Sequence, residues 1–409
     1  IDSIKQIFRG EPLELEALAG NLADHQVRIL DLKAAPDTLS NTLNDFQPDL
    51  VAFTAMTCEA QTVLILAEQV RQSSSAHIVV GGCHASSDPQ FFKQPQVDWS
   101  VIGLGKQSLR ELVDALASNR QPQVPGIARC QPGHKLRWQT RRYTRADLGC
   151  AIPPAYRLVD KYRPEYTLQT LGLQMGLVAS AAGCPFDCNF CCISPITDGR
   201  YLTAEIDSVV RDIQLLEDCP VIRLVDANSF GNPAQALQLA EGLAAAGVQK
   251  QYLADVRSDT VTRHPELLKR WQEVGLRAVV IGFEEIDDTA LGEMNKENSA
   301  ATNKEAIRIL HELGIAIVGD FIISPDYTEQ QFDQLGAFAC EQRIELPMYT
   351  VLTPLPGTQL HQQMKTQIRI HDLDYYTLTN AVLPTRLEEE LFYQRYADLL
   401  AEGHKAAKV

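Results

Sequence analysis

Short apolar runs alternate along this chain with stretches whose apolar residues recur at helical spacing. Leu15, Leu18, Ala19 and Leu22 repeat this way within 11–23, and Val63, Leu66, Ala67 and Val70 within 60–71. Leu109, Leu112, Val113 and Leu116 mark a closing helix. Between them lie apolar runs at 26–32, 49–55, 77–82 and 99–103, which predict strands buried on both faces. Strands alternating with helices predict a doubly wound, Rossmann-like parallel sheet. The chain opens on Ile1 rather than Met, so residues are expected ahead of it, and the sheet's first strand is expected before or at Ile1.

The pattern lapses over 119–171. There 127–130 and 135–139 flank Gln131-Pro132-Gly133-His134, which predicts a hairpin in a connector that covers part of the active site. Alternation then resumes, with strands at 173–179, 221–225, 252–256, 278–283, 316–323 and 348–352 and five helices between them. Six parallel strands predict an open, partial (β/α)6 barrel, because a closed barrel needs two more units. The tail from His361 reads as polar and helical. The expected division is 1–120, a linker over 121–171, a barrel over 172–358 and a helical extension over 359–409.

The 409 residues allow two or three domains, and 45% hydrophobic with 22% charged residues is ordinary globular composition. A formal net charge of -15 argues against a nucleic-acid partner. No apolar run reaches the length of a membrane span and no signal peptide is visible, so neither a transmembrane segment nor export is expected. Ten cysteines without a scaffold-like density fit a reducing cytoplasm.

Chemistry concentrates between Gly183 and Cys192. Cys184, Cys188 and Cys191 leave three residues and then two between them, so one tight loop can aim three thiolates at a common point. An iron–sulfur cubane needs four ligands, and a loop supplying three leaves one iron to hold something else. A closed zinc site would need a fourth ligand at suitable spacing, and Cys192 abuts Cys191 too closely to bend back. Incidental buried thiols are the plainer alternative.

With Phe190 just ahead of the third cysteine, this spacing resembles the radical S-adenosylmethionine (SAM) enzymes. The resemblance implies a [4Fe–4S] cluster on Cys184, Cys188 and Cys191, with SAM on the remaining iron. Residues at the carboxyl ends of barrel strands face the reaction. Here the resemblance places Asp226 and Asn228 near the SAM amine or ribose, Arg257 at its carboxylate, Glu284 at its ribose and Phe190 beside it. Where cobalamin-dependent relatives often show two acids, this chain has Asp226-Ala227-Asn228. Tyr349, Cys192 and Glu285 are further candidate acids, bases or hydrogen donors, and Tyr349 is carried forward as a catalytic candidate.

Ligands of open parallel sheets also sit at the carboxyl ends of strands. In the first domain those ends carry Thr54, Met56 and Thr57, then Gly81-Gly82-Cys83-His84, then Gly103-Leu104-Gly105. Paired glycines let backbone approach a bulky ligand and offer amides to a phosphate. Ahead of a radical SAM core, the set resembles a cobalamin-binding domain. No Asp-x-His-x-x-Gly motif occurs, which implies base-off cobalamin without a protein histidine on cobalt and the 54–58 loop against that face. His84 as the cobalt ligand is the rival reading.

Together the resemblances imply a cobalamin-dependent radical SAM methyltransferase, moving a methyl group from SAM to a carbon of a small-molecule or lipid substrate. A flavodoxin or ferredoxin is the expected reducing partner. The opening Arg9-Gly10-Glu11-Pro12-Leu13 is faintly similar to hopanoid methylases. Magnesium-porphyrin cyclases share the two domains and form the nearest rival. A non-radical cobalamin methylase and a non-catalytic corrinoid carrier are the others.

Overall fold

The computed structural model describes residues 10–131, 133, 135–148, 151–168 and 173–406. In the front domain α1 (Leu13–Gly20) and α2 (Leu39–Phe46) precede β1 (Leu50–Thr54), which leads into α3 (Ala60–Ser73). Then come β2 (His77–Gly81), the short α4 (Cys83–Ser87), β3 (Trp99–Val101), α5 (Gly105–Ala117) and β4 (Ile127–Arg129). The sheet runs β1-β2-β3-β4, parallel apart from antiparallel β4.

Side chains alternate across β2. Ile78 and Val80 pack with Val63 and Val70 of α3, whereas Val79 packs with Leu109 and Leu112 of α5. Helices therefore cover both faces, as continuous apolar strands require. Thr54 pairs with Gly81, so the loops leaving β1 and β2 start side by side.

Two sequence expectations change here. The run 26–32 is not a strand and joins no sheet among the described residues. Side chains hold it instead: Ile29 packs on Val159, Tyr162 and Tyr166, and Asp31 accepts from Lys33 N–H and the Tyr166 hydroxyl, 2.9 Å each. Among the described residues the connector forms no hairpin, because Ile127–Arg129 finds its partner in β3 and 135–139 is not a strand; positions 132 and 134 of its expected turn lie outside them. The strand expected at or before Ile1 falls outside the described residues.

The second domain starts with β5 (Thr167–Leu168) and β6 (Leu173–Val178), an antiparallel pair at the sheet edge. Two short strands, β7 (Ala181–Ala182) and β8 (Leu202–Thr203), pair across the cysteine loop, which contains α6 (Ile193–Ile196). The repeat continues as α7 (Ile206–Leu215), β9 (Val221–Leu224), α8 (Pro233–Ala245), β10 (Gln251–Val256), α9 (Ser258–Arg263) and α10 (Pro265–Val274). Next are β11 (Leu276–Glu284), α11 (Asp288–Glu293), α12 (Ala300–Glu312), β12 (Ala316–Ile323), α13 (Glu329–Glu341) and β13 (Leu346–Val351). β6, β9, β10, β11, β12 and β13 are parallel neighbours in chain order, the partial barrel that the pattern predicts.

The tail is not a detached extension. After α14 (Gln359–Met364) the chain crosses to the front domain, where Leu373, Tyr376 and Val382 join the core of Leu39, Leu43 and Val63. It returns as α15 (Glu389–Ala406), whose Phe392 ring meets Phe332 of α13 at 5.5 Å. Thus α15 supplies the sixth barrel helix, delayed by a detour that fastens the two domains together. At about 1.5–3 kcal/mol per buried large apolar side chain, the three detour residues contribute several kcal/mol to that junction. Among the described residues no helix is long and apolar enough to cross a membrane.

Candidate active site

The cysteine loop is pinned before its first cysteine. Asp226, buried at the end of β9, accepts from Ser180 N–H (2.8 Å), the Ser180 hydroxyl (2.5 Å) and Ala181 N–H (2.7 Å). Burial pushes its carboxyl up to about 6 even though these bonds pull it down. Gly183 follows at φ +81, where a Cβ would lie 1.9 Å from the Arg200 carbonyl, so only glycine lets the loop close on its own return.

Cys184, Cys188 and Cys191 are half-buried, and Cys191 N–H donates to the Cys188 carbonyl at 3.1 Å. Burial pushes the Cys191 thiol up to about 12, with the neighbouring cysteines adding to the shift, and burial raises Cys188 also. Such thiols need cationic metal to ionise, which this donor set fits. Asn189, inside the loop, gives its N–H to the Met294 carbonyl (3.2 Å) and its amide to the Glu293 carbonyl (2.7 Å).

Of the residues expected at SAM, Arg257 and Glu284 are joined through Lys296 at the strand ends, and Asn228 follows β9. Asn228 is 1% exposed, and neither polar atom of its side chain has a partner in the chain. An orphaned buried amide fits a ligand-binding role. Arg257 stacks on Phe186 of the cysteine loop at 3.5 Å and pairs with Asp259 at 2.9 Å. Glu284 sits at φ +65 where β11 slips register against β12, and its carboxylate meets Lys296 Nζ at 2.5 Å. Phe190 packs against Met294, Ile322, Leu352 and Leu360.

Other expectations are corrected. Asp226 engages both carboxylate oxygens with the start of the loop, so it positions the cysteines. Tyr349 faces away from the barrel interior: its ring stacks on Phe321 at 5.7 Å and abuts Gly403 of α15. Alternation along β13 sends Pro347, Tyr349 and Val351 to the helix side. Glu285 is occupied by the Tyr327 hydroxyl, at 2.6 Å from one oxygen.

Sequence reading missed Lys296 and a charged group inside the barrel. Arg223 of β9 pairs with Asp255 of β10 at 3.3 Å, and Asp320 of β12 lies near Glu284 and Asp255, which add to burial in pushing its carboxyl up to about 7. The available signal was a charge inside each otherwise apolar strand.

Against the cysteine loop lies a cavity of about 480 Å³. Thr54, Met56, Gly81, Gly82, Gly103 and Gly105 form one wall. Ala179, Ala181 and Ala182 from the barrel and Leu148, Ile152 and Pro154 from the connector form the other. Gly82 and Gly103 have φ +95 and +83, and a Cβ on Gly103 would lie 1.7 Å from the Tyr143 hydroxyl. This glycine-lined, largely apolar cradle fits a bulky ring system with a phosphate-bearing tail. Met56 is 53% exposed along it.

Two residues expected at this wall lie behind it. Thr57 is buried in the turn before α3, and His84 is fully buried, edge-on to Phe91 at 4.9 Å and Phe92 at 5.6 Å. Burial lowers the His84 pKa, and its ring does not line the cavity. Both His84 ring nitrogens are buried without a hydrogen-bond partner among the described residues. No histidine is among the described residues lining the cavity. The two sites meet at Cys83 and Cys192, whose sulfurs are 3.4 Å apart.

A family model for the B12 binding domain matches residues 7–113, and one for the Radical SAM superfamily matches residues 178–339. The chain is similar to the hopanoid C-3 methylase of Methylococcus capsulatus, with 27% identity over 408 residues, 95% of this chain and 75% of that one. It is also similar to the anaerobic magnesium-protoporphyrin IX monomethyl ester cyclase of Cereibacter sphaeroides, 27% identical over 394 residues, 89% of this chain and 61% of that one. Among solved structures, the radical SAM methyltransferase TsrM of Kitasatospora setae, with cobalamin and a [4Fe–4S] cluster, superposes with TM-score 0.73 at 17% identity. That match covers 96% of this chain and 88% of the other, and it carries the fold.

Proposed function

We propose, for a chain that belongs to the cobalamin-binding radical SAM enzymes, that it transfers a methyl group from SAM to a carbon of a small-molecule or lipid substrate. The observation carrying this reading is the contact of the two sites: the glycine-lined cavity opens against the cysteine loop, with Cys83 and Cys192 in contact. When bound, the cluster supplies electrons for SAM cleavage and the corrinoid supplies a methyl carrier.

The chain's own residues bind and orient. Cys184, Cys188 and Cys191 would hold the cluster, with Asp226 setting where their loop begins. Arg257 would take the SAM carboxylate and Glu284 the ribose hydroxyls, both held in place before the ligand arrives, and the unpartnered Asn228 amide a further polar group. Thr54, Met56, Gly81, Gly82, Gly103 and Gly105 would cradle the corrinoid.

The hopanoid methylase relative supports a polycyclic lipid as substrate. The cyclase relative supports a second reading, oxidation of a magnesium porphyrin, although the chain spans 61% of that protein. A flavodoxin or ferredoxin would supply electrons, and the oxygen-sensitive cluster suits a reducing cytoplasm.

Anaerobic protein reconstituted with iron, sulfide and hydroxocobalamin, then given SAM, dithionite and a polycyclic lipid extract, tests the reading. S-adenosylhomocysteine together with 5′-deoxyadenosine and a methylated lipid is the expected result. S-adenosylhomocysteine alone would indicate polar methyl transfer, and 5′-deoxyadenosine without it would favour the cyclase reading. Intact SAM would overturn both and leave a corrinoid carrier.

A further inference from the structure

The turn between α11 and α12 touches the cysteine loop, Arg257 and Glu284. Its Met294 and Glu293 carbonyls hold Asn189 of the cysteine loop, and its Asn295 amide donates to the Asp187 carbonyl at 2.7 Å. The Lys296 carbonyl accepts from Arg257 Nη2 at 2.8 Å, and the Lys296 ammonium pairs with Glu284. Asn295 and Glu297, on either side of Lys296, both have φ +52, so the turn is locally costly and is kept by what it contacts.

The geometry points to Lys296 as the positioning residue of the SAM site, joining Glu284 through its ammonium to Arg257 through its carbonyl. The inference rests on the reading that SAM binds at Asn228, Arg257 and Glu284. Lys296 and Glu284 side chains are 8% and 10% exposed, so their ion pair is shielded from water and from salt. Gly282 makes room for it: a Cβ there would lie 2.2 Å from Glu284 Oε1 and 3.0 Å from Lys296 Nζ. Glu284 is at φ +65, so its backbone alone does not prefer this direction, and the ammonium supplies the restraint. Because the contacts to the cysteine loop come from Glu293, Met294 and Asn295, a change to the Lys296 side chain leaves them standing.

The test uses the full chain, reconstituted anaerobically, with SAM itself as probe in a binding titration. Lys296→Met is expected to weaken SAM binding about ten- to hundredfold, as loss of a partner orienting a binding group does, with iron and sulfide content unchanged. Lys296→Arg should recover most of the affinity. In the reduced protein, the SAM-induced change in the cluster's electron paramagnetic resonance spectrum should need correspondingly more SAM. Adding Lys296→Met to Glu284→Gln should cost little beyond Glu284→Gln alone, since both act on one contact.

Wild-type affinity in Lys296→Met, or additive losses in the double variant, would overturn the inference. Loss of iron in Lys296→Met would also overturn it, by showing that the side chain holds the cysteine loop. Should Lys296→Met fail to fold, Lys296→Arg and Glu284→Gln decide: Lys296→Arg binding as weakly as Glu284→Gln would mean that charge alone does not position the acid. A normal affinity in Glu284→Gln would instead fault the assignment of the SAM site. Tight SAM binding without methylated product would fault only the methyl-transfer reading.

Discussion

The sulfurs of Cys83 and Cys192 lie 3.4 Å apart, one at the start of α4 on the cavity wall and the other beside the last cysteine of the cluster loop. Only the docked arrangement of the two domains brings them together, since 109 positions separate them in the chain. With oxidised glutathione as oxidant, exchange at Cys83 and then Cys192 should release two thiols and leave one interdomain disulfide. Peptide mapping should find the linked pair in corrinoid-free protein and lose it in C83S and C192S. Bound corrinoid should slow the reaction by covering Cys83.

Gly103 is expected to be intolerant of a methyl group. At φ +83 a side chain is strained, and the Tyr143 hydroxyl that would be displaced also accepts from Leu104 N–H at 3.0 Å. Gly103→Ala should weaken corrinoid retention by at least about tenfold, a loss of roughly 1.4 kcal/mol. Corrinoid absorbance remaining after gel filtration measures it.

Asp226 and Tyr349 should act on stability and loop order. Asp226→Ala strands Ser180 N–H and Ala181 N–H in a buried site, at about 1–3 kcal/mol for each unsatisfied group. Iron content should fall along with the denaturation midpoint. Tyr349→Phe should keep turnover within about twofold, whereas Tyr349→Ala should cost about 3–5 kcal/mol through the cavity it leaves against α15. Denaturant titration and product formation separate the two effects.

Glu16 makes stability depend on pH. It is fully buried on α1, and burial, with the charge of Glu11 and a hydrogen bond to it adding to the effect, pushes its pKa up to about 9. Between about pH 4.5 and 9 the folded chain keeps a proton that the unfolded chain releases, so this group's stabilising contribution is full below that window and falls as pH rises through it. The slope is at most about 1.4 kcal/mol per pH unit. Glu16→Gln needs no such proton, so its stability relative to wild type should rise from pH 6 to pH 8.5 in urea titrations.

The chain's own pattern determined the six barrel strands, the three-cysteine loop and the glycine-bearing strand ends, because these depend on local spacing: side-chain period, loop length and the left-handed backbone that glycine allows. Composition likewise set the reducing-compartment and nucleic-acid expectations without any fold. Tertiary structure decided the rest. Asp226 became an anchor because Ser180 and Ala181 reach it first. His84 fell between two phenylalanines, and Tyr349 took the helix side of β13. Lys296 gained its role from Glu284, twelve positions away across a turn, and the tail became a clasp because its apolar residues complete the front domain's core. A side chain's chemistry is local, but what it faces depends on which distant groups the packed core brings to it.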